Sequence, residues 1–187
     1  MTSLNTNLRH SDSGWSLKIK LLRALWNTTW ILTGRFGPRV FSPWRVVLLR
    51  IFGAKIGRGV LISGKVNILM PWNLEMADYV AVAEGVTFYN FARVQIGSQT
   101  SLSQDVFLCT GTHNYLHPHF PLIWKPIAVG SEVWVAMKSI LLPGCNIGDG
   151  CVVGAGSVVA GAMPAWHVCV GNPCRAIKPR ETEIPAI

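Results

Sequence analysis

The chain has 187 residues, half of them hydrophobic and only 14% charged, which excludes a disordered chain and suits one domain with a small appendage. Its formal charge is +8, and the excess is local: residues 1–65 hold eleven Lys/Arg against Asp12 alone, while residues 66–187 hold six against eight acids. The five cysteines (Cys109, Cys145, Cys151, Cys169, Cys174) are odd in number and contain no C-x-x-C, which argues against a zinc ribbon or a disulfide framework and for reduced thiols.

In chain order, residues 1–13 are polar and read as loose. The stretch from Gly14 to about Leu32 reads as a helix. Leu17, Leu21, Ala24 and Leu25 form its apolar face, widened by Ile19, Leu22, Trp26 and Trp30, with Lys18, Lys20 and Arg23 on the polar side. A second helix is marked over 43–52: Ser42 suits the N-cap, Pro43 the first position and Gly53 the site just past the end. Its stripe is Trp44, Val47, Leu48 and Ile51. The longest uncharged run near the N-terminus, Ala24 to Gly34, is too short to span a bilayer, and the polar first ten residues fit a signal peptide badly.

After Gly53 the pattern changes to a period of six. Ile56, Ile62, Ile68, Leu74, Val80 and Val86 are evenly spaced; the register slips by four residues and resumes with Ile96, Leu102 and Leu108. After a gap of 21 residues it continues with Val129, Val135, Leu141, Ile147, Val153 and Val159. A small or compact residue recurs four positions later, as at Val60, Val66, Thr100, Val106, Val133, Ser139, Cys145, Cys151 and Ser157, and glycine often follows the aliphatic. This repeat predicts a β-helix of very short strands, with one aliphatic per strand inside and glycine permitting the turns. Cys145 and Cys151 then read as inert core residues. Such a core needs closed ends, supplied by the N-terminal helices and by the tail after Pro173.

The gap between Leu108 and Val129 holds an insertion containing His113, His117 and His119. Long insertions in a regular scaffold are often functional, and histidine is the usual general base for a weak nucleophile. His117 and His119 read more simply as surface residues. A zinc site shared between coils is disfavoured, since no histidine lies between His10 and His113.

The repeat, the segment Thr110-Gly111-Thr112-His113, the later Val153-Gly154-Ala155-Gly156-Ser157-Val158-Val159, and Gly171-Asn172-Pro173 resemble the hexapeptide-repeat O-acetyltransferases, which include the maltose and galactoside acetyltransferases. The group named for colanic acid biosynthesis is more similar still, matching upstream at Trp44-Arg45, Leu48-Leu49-Arg50, Phe52 to Gly57 and Pro71 to Leu74, over roughly residues 43 to 180. The resemblance implies an all-β fold, a single-stranded left-handed parallel β-helix with an N-terminal helical extension. It also implies a homotrimer, acetyl-CoA as donor and a sugar hydroxyl as acceptor. It places the catalytic histidine at His113. Where many relatives carry Asp after that histidine, this chain has Asn114, which leaves the orienting partner of His113 open. Asn90 resembles an acceptor-site asparagine, with a turn role as the alternative. The resemblance puts coenzyme A near Trp134, Ala136, Gly154 and Ala155, with Trp134 alternatively at a subunit interface. Arg175, Lys178 and Arg180 are candidates for its phosphates, or an ordinary basic tail. Ala160-Gly161 replace a common Thr-Lys.

These readings divide the chain into a basic helical extension or cap (1–53), a β-helix (54–172) with an inserted loop (109–128), and a basic tail (173–187). They predict a cytoplasmic O-acetyltransferase of surface glycan synthesis, acting on a sugar or lipid-linked oligosaccharide. Neither a metal nor a nucleic acid is expected. The alternatives are an acetyltransferase for a small free acceptor and a scaffold that has lost catalysis. The net charge of +10 in residues 1–65, with Trp15, Trp26, Trp30 and Trp44, also fits contact with an anionic membrane at its inner face.

Overall fold

An aliphatic residue every sixth position can be buried only if the chain turns after each short strand. In the computed structural model, which describes residues 15–181, the first five coils each give a strand of two or three residues to each of three parallel sheets, and the last gives strands to the first two. The polar residues 1–13 and the last part of the basic tail lie outside the described residues. Between Lys55 and Gly171 the chain makes about six turns. The first sheet stacks Ile56, Met76, Ile96, Val129, Ile147 and Met163 inward, and the second stacks Ile62, Val82, Leu102, Val135, Val153 and Cys169. Ile68, Phe88, Leu108, Leu141 and Val159 line the third. All are buried.

This register corrects the sequence reading at one place. Met76, not Leu74, pairs with Ile56, and the chain slips by two residues twice, between Ile68 and Met76 and between Phe88 and Ile96. Leu74 pairs with Val94, whereas Val80 and Val86 belong to the second inner row with Val60, Val66, Thr100 and Val106. Both rows are buried and mostly aliphatic, so a period-six test cannot tell them apart.

The glycine that follows the aliphatic also has a different cause from the one expected. Gly57, Gly97, Gly130 and Gly148 do not take positive φ. They sit where the next coil comes too close for a Cβ: one on Gly97 would lie 2.5 Å from the Ser131 nitrogen. The left-handed turn falls later in the coil, and Tyr79, Gln99 and Glu132 occupy it as readily as Gly59 and Gly150.

Helices α1 (Leu17–Thr29) and α2 (Ser42–Ile51) close the first coil. Ser16 caps α1 by accepting a hydrogen bond from the Ile19 N–H. The buried side of α1, continued by a π-helical turn over Trp30–Gly34, is carried by Trp26 and Trp30. Their indole N–H groups donate to the Ile68 and Val66 carbonyls at 2.7 and 2.9 Å. The expected face of Leu17, Leu21 and Leu25 points outward instead, and so do Trp44, Val47 and Ile51 of α2; of the stripe expected there, only Leu48 is buried. Ser42 does not cap α2: its hydroxyl accepts from the Ile62 N–H at 2.7 Å, pinning the helix to the coil. Gly53 ends α2 as expected, at φ +89. Arg45 is fully buried without a carboxylate partner and donates to the carbonyls of Gly34, Phe36, Gly37, Pro38 and Ile62. The entry turn is thereby tied to the first coil.

At the other end, Cys174–Pro179 is a strand rather than a loose tail. It pairs antiparallel with His167–Gly171 and adds to the second sheet. Cys174 is buried there beside Cys169 and Cys151.

Candidate active site

The insertion folds as a hairpin of β1 (Gly111–His113) and β2 (Leu122–Trp124), which pair antiparallel with Gly111 opposite Trp124 and His113 opposite Leu122. Thr110 anchors its base: the Lys125 N–H donates to the Thr110 carbonyl, and the buried Thr110 hydroxyl accepts from the Ala92 N–H. Directly opposed residues, and residues two apart on one strand, project to the same face. Gly111, His113, Leu122 and Trp124 therefore share one side of the hairpin.

His113 is exposed, and its Nδ1 lies 2.6 Å from the Phe120 carbonyl oxygen. A carbonyl can only accept, so Nδ1 donates to it, and in the neutral imidazole Nε2 is then the nitrogen with the free lone pair. Phe120 presents that oxygen from a left-handed conformation, φ +42, which is uncommon for a bulky residue, and its own N–H donates to the His117 carbonyl. Asn114 does not touch His113 in this arrangement. Its side-chain oxygen accepts from the Leu116 N–H, and its backbone N–H donates to Pro121, so it shapes the turn. The orienting partner left open by the sequence is thus a main-chain carbonyl seven residues away, which no motif signals. His117 Nδ1 accepts from the His119 N–H within the same turn.

Beside the hairpin lies an aromatic pocket of about 320 Å³ lined by Trp15, Ile19, Met70, Trp72, Asn73, Phe91 and Trp124. Trp15 meets Phe91 and Trp124 with ring centroids 5.5 and 6.3 Å apart. Phe91 occupies the space a side chain at position 111 would need, 2.6 Å from an ideal Cβ there. The pocket and the His113 imidazole are consequently on one face of the hairpin. The pocket is not legible in the sequence, since its residues are scattered over 110 positions.

Asn90, the expected acceptor residue, is fully buried. Its side chain accepts from the Met70 N–H at 3.0 Å and donates to the Met70 carbonyl at 2.7 Å, the turn role that stood as the alternative to acceptor binding.

The expected coenzyme residues fall at the corner between the second and third sheets. Ala136 and Gly154 donate their N–H groups to the Val153 and Cys169 carbonyls. The buried Ser139 hydroxyl lies 2.8 and 3.0 Å from the Ala136 and Gly154 carbonyls. Ala155 stands exposed beyond them. The half-exposed Trp134 donates its indole N–H to Ser103 Oγ at 2.9 Å. The basic residues are not gathered. Arg175 lines a cavity of about 480 Å³ with Ala160, Gly161 and Pro164, whereas Arg180 donates to the Glu132 and Gly150 carbonyls and lies over Trp166. Lys178 is exposed between them on the last strand. Extended chain separates Arg175 from Arg180 by roughly 16 Å. A further concavity of about 810 Å³ follows the outside of the first sheet and takes nothing from the hairpin.

Cys145 and Cys151 are inert as expected: burial pushes each thiol up to about 12. Among the described residues no cluster of three or more His, Cys, Asp or Glu side chains is placed to hold a metal ion.

Comparison with known proteins agrees with this architecture. The family model "Bacterial transferase hexapeptide (six repeats)" matches residues 126–161. The chain is 41% identical, over 171 residues, to the protein named as colanic acid biosynthesis acetyltransferase WcaF of Escherichia coli K12, covering 91% of this chain and 92% of that protein. Among solved structures, a maltose O-acetyltransferase of Clostridium difficile 630 is 26% identical with a TM-score of 0.76, over 89% of this chain and 90% of the other. A hexapeptide-repeat acetyltransferase of Vibrio cholerae, complexed with acetyl coenzyme A, has the same fold at 20% identity, with a TM-score of 0.81 over 97% of this chain and all of the other.

Proposed function

This chain belongs to the hexapeptide-repeat acetyltransferases, and on that premise we propose that it moves an acetyl group from acetyl-CoA to a sugar hydroxyl during synthesis of a surface glycan. The observation that carries the reading is the 2.6 Å contact between His113 Nδ1 and the Phe120 carbonyl. It leaves Nε2 as a base on the hairpin face that also borders the aromatic pocket. A sugar hydroxyl is a poor nucleophile at neutral pH. Nε2 takes its proton as the oxygen attacks the thioester carbonyl, then returns a proton to the departing thiolate.

In this reading the aromatic pocket takes the acceptor, since the C–H face of a pyranose stacks on indole and phenyl rings. The donor would be held along the second corner by Trp134, Ala136, Gly154 and Ala155, with Arg175 toward its phosphates. A neighbouring copy would complete the groove in a homotrimer. Residues 54–172 would carry the chemistry, and the flanking segments would close the coil. The enzyme would work in the cytoplasm, touching a membrane only peripherally; no described helix is long and apolar enough to cross one.

Incubating the protein with labelled acetyl-CoA and a panel of free sugars and lipid-linked oligosaccharides tests this. Label appearing as a base-labile ester on a saccharide is expected. Thioester hydrolysis alone, with no acceptor labelled across the panel, would contradict it.

A further inference from the structure

Two helices that close a solenoid should hide their apolar stripes, and here they expose them. Leu17, Leu21 and Leu25 of α1 are 71, 62 and 59% exposed, and Leu32 beyond its end is 76% exposed. On α2 the same holds for Val47 and Ile51, and Val40 just before the helix is also exposed. The orientation is not free to reverse, because the opposite faces are committed. Trp26 and Trp30 hydrogen-bond to coil carbonyls, and Ser42 and Arg45 are buried against the first coil. The indole of the half-exposed Trp44 donates to the Thr33 carbonyl at 3.1 Å, tying α2 to the turn that follows α1.

The charge around this surface is of one sign. Residues 15–65 contain ten Lys/Arg and no acid. At helical spacing Lys18 and Lys20 fall on either side of the leucine stripe. Lys55, Arg58 and Lys65 pair with Glu75, Asp78 and Glu84 of the next coil, but no carboxylate pairs with Lys18, Lys20 or Arg39 among the described residues. A second copy docking through this surface would set cations against cations. An apolar stripe with basic flanks and a tryptophan at its edge matches the headgroup region of an anionic bilayer.

We infer that the outer surface of α1 and α2 is a docking platform for an anionic membrane. Leu21, Leu25 and Ile51 enter the interface while Lys18 and Lys20 meet lipid phosphates. Trp15, two residues before α1, lines the aromatic pocket, so docking through α1 holds that pocket at the membrane surface. The inference draws its purpose from a lipid-linked acceptor, as in the function proposed above, but its evidence is independent of acetyl transfer.

The test is co-sedimentation of the full chain with vesicles of phosphatidylcholine, with and without phosphatidylglycerol, at low and high salt. The variants are Leu21→Glu/Leu25→Glu and Lys18→Gln/Lys20→Gln. Binding to anionic vesicles at low salt should fall about tenfold or more on neutral vesicles, and by a similar factor in the leucine variant. The lysine variant should bind more weakly and lose part of its salt dependence. These side chains are exposed, so the unfolding midpoint and transfer to a water-soluble acceptor should stay at wild-type levels, which separates failed docking from failed catalysis. No binding to anionic vesicles at low salt, or equal binding by the leucine variant, would overturn the inference. So would a leucine variant that shifts to a smaller assembly by light scattering, because the face would then be a subunit contact.

Discussion

His113 was legible in the sequence because a histidine beside Thr-Gly-Thr in a long insertion is a local signal. The contact that orients its ring was not, because the partner is a peptide oxygen whose position depends on Phe120 adopting φ +42. Asn90 was left with two readings for a related reason: an asparagine at a corner looks the same whether it faces a ligand or its own backbone, and here its side chain bonds to Met70. Two predictions belong at this scale. Phe91→Ala and Trp124→Ala should each raise the acceptor KM about tenfold, the worth of a lost aromatic contact, with the acetyl-CoA KM unchanged. Steady-state kinetics with either substrate varied separates these, and an effect on the acetyl-CoA KM alone would move the pocket to the donor side. The second concerns the thiols. With the Cys145 and Cys151 thiols near 12, only on the order of 1 in 10⁴ is thiolate at pH 8. Cys109 is the one cysteine that is partly exposed, so a thiol reagent should titrate one group quickly in the native protein and the other four only after unfolding.

Among the elements, both helices were read at the right place, but of their apolar faces only the part carried by Trp26, Trp30 and Leu48 turns inward. Their apolar residues go nearly all the way round, so periodicity alone could not choose. The choice falls to side chains that can satisfy carbonyls of the open first coil: Trp26, Trp30 and Arg45 do so, and leucine cannot. Arg45→Met should therefore cost on the order of 3–5 kcal/mol, because it strands several buried carbonyls; a denaturant titration with a loss below about 1 kcal/mol would contradict this. The corner glycines give a sharper test. Gly156 has φ +68 and open space around its missing Cβ, and Lys138 and Asp105 fill equivalent positions, so Gly156→Ala should cost about 1–2 kcal/mol. Gly97 has ordinary φ but backbone where a Cβ would go, so Gly97→Ala should cost more, and the reverse order would refute close approach as its cause. Between the first two coils, hydrogen bonds from Lys55 and Gln95 hold the Glu75 carboxyl below its ordinary range, and the Arg58 backbone N–H does the same for Asp78. Their contribution is fully present above the unfolded carboxylate range near pH 4. It fades as pH falls through the lower folded values. Glu75→Gln should flatten that part of the acid-unfolding curve.

For the whole molecule, the β-helix was legible because one aliphatic per strand must point inward in every coil, a constraint repeated often enough to survive two slips of register. The pocket and the outer platform were not, since both depend on where coils and helices meet rather than on any run of sequence. A trimer of about 61 kDa, three chains closed by rotational symmetry, is the expected assembly, and light scattering at the concentration of the activity assay checks it. The most direct test of the account is transfer of labelled acetyl from acetyl-CoA to the saccharide acceptor by wild type and His113→Ala. A base held ready by the Phe120 carbonyl predicts a fall of about 10²–10⁴-fold with the fold and assembly unchanged. A variant that keeps more than about a tenth of the wild-type rate would place the base elsewhere and contradict it.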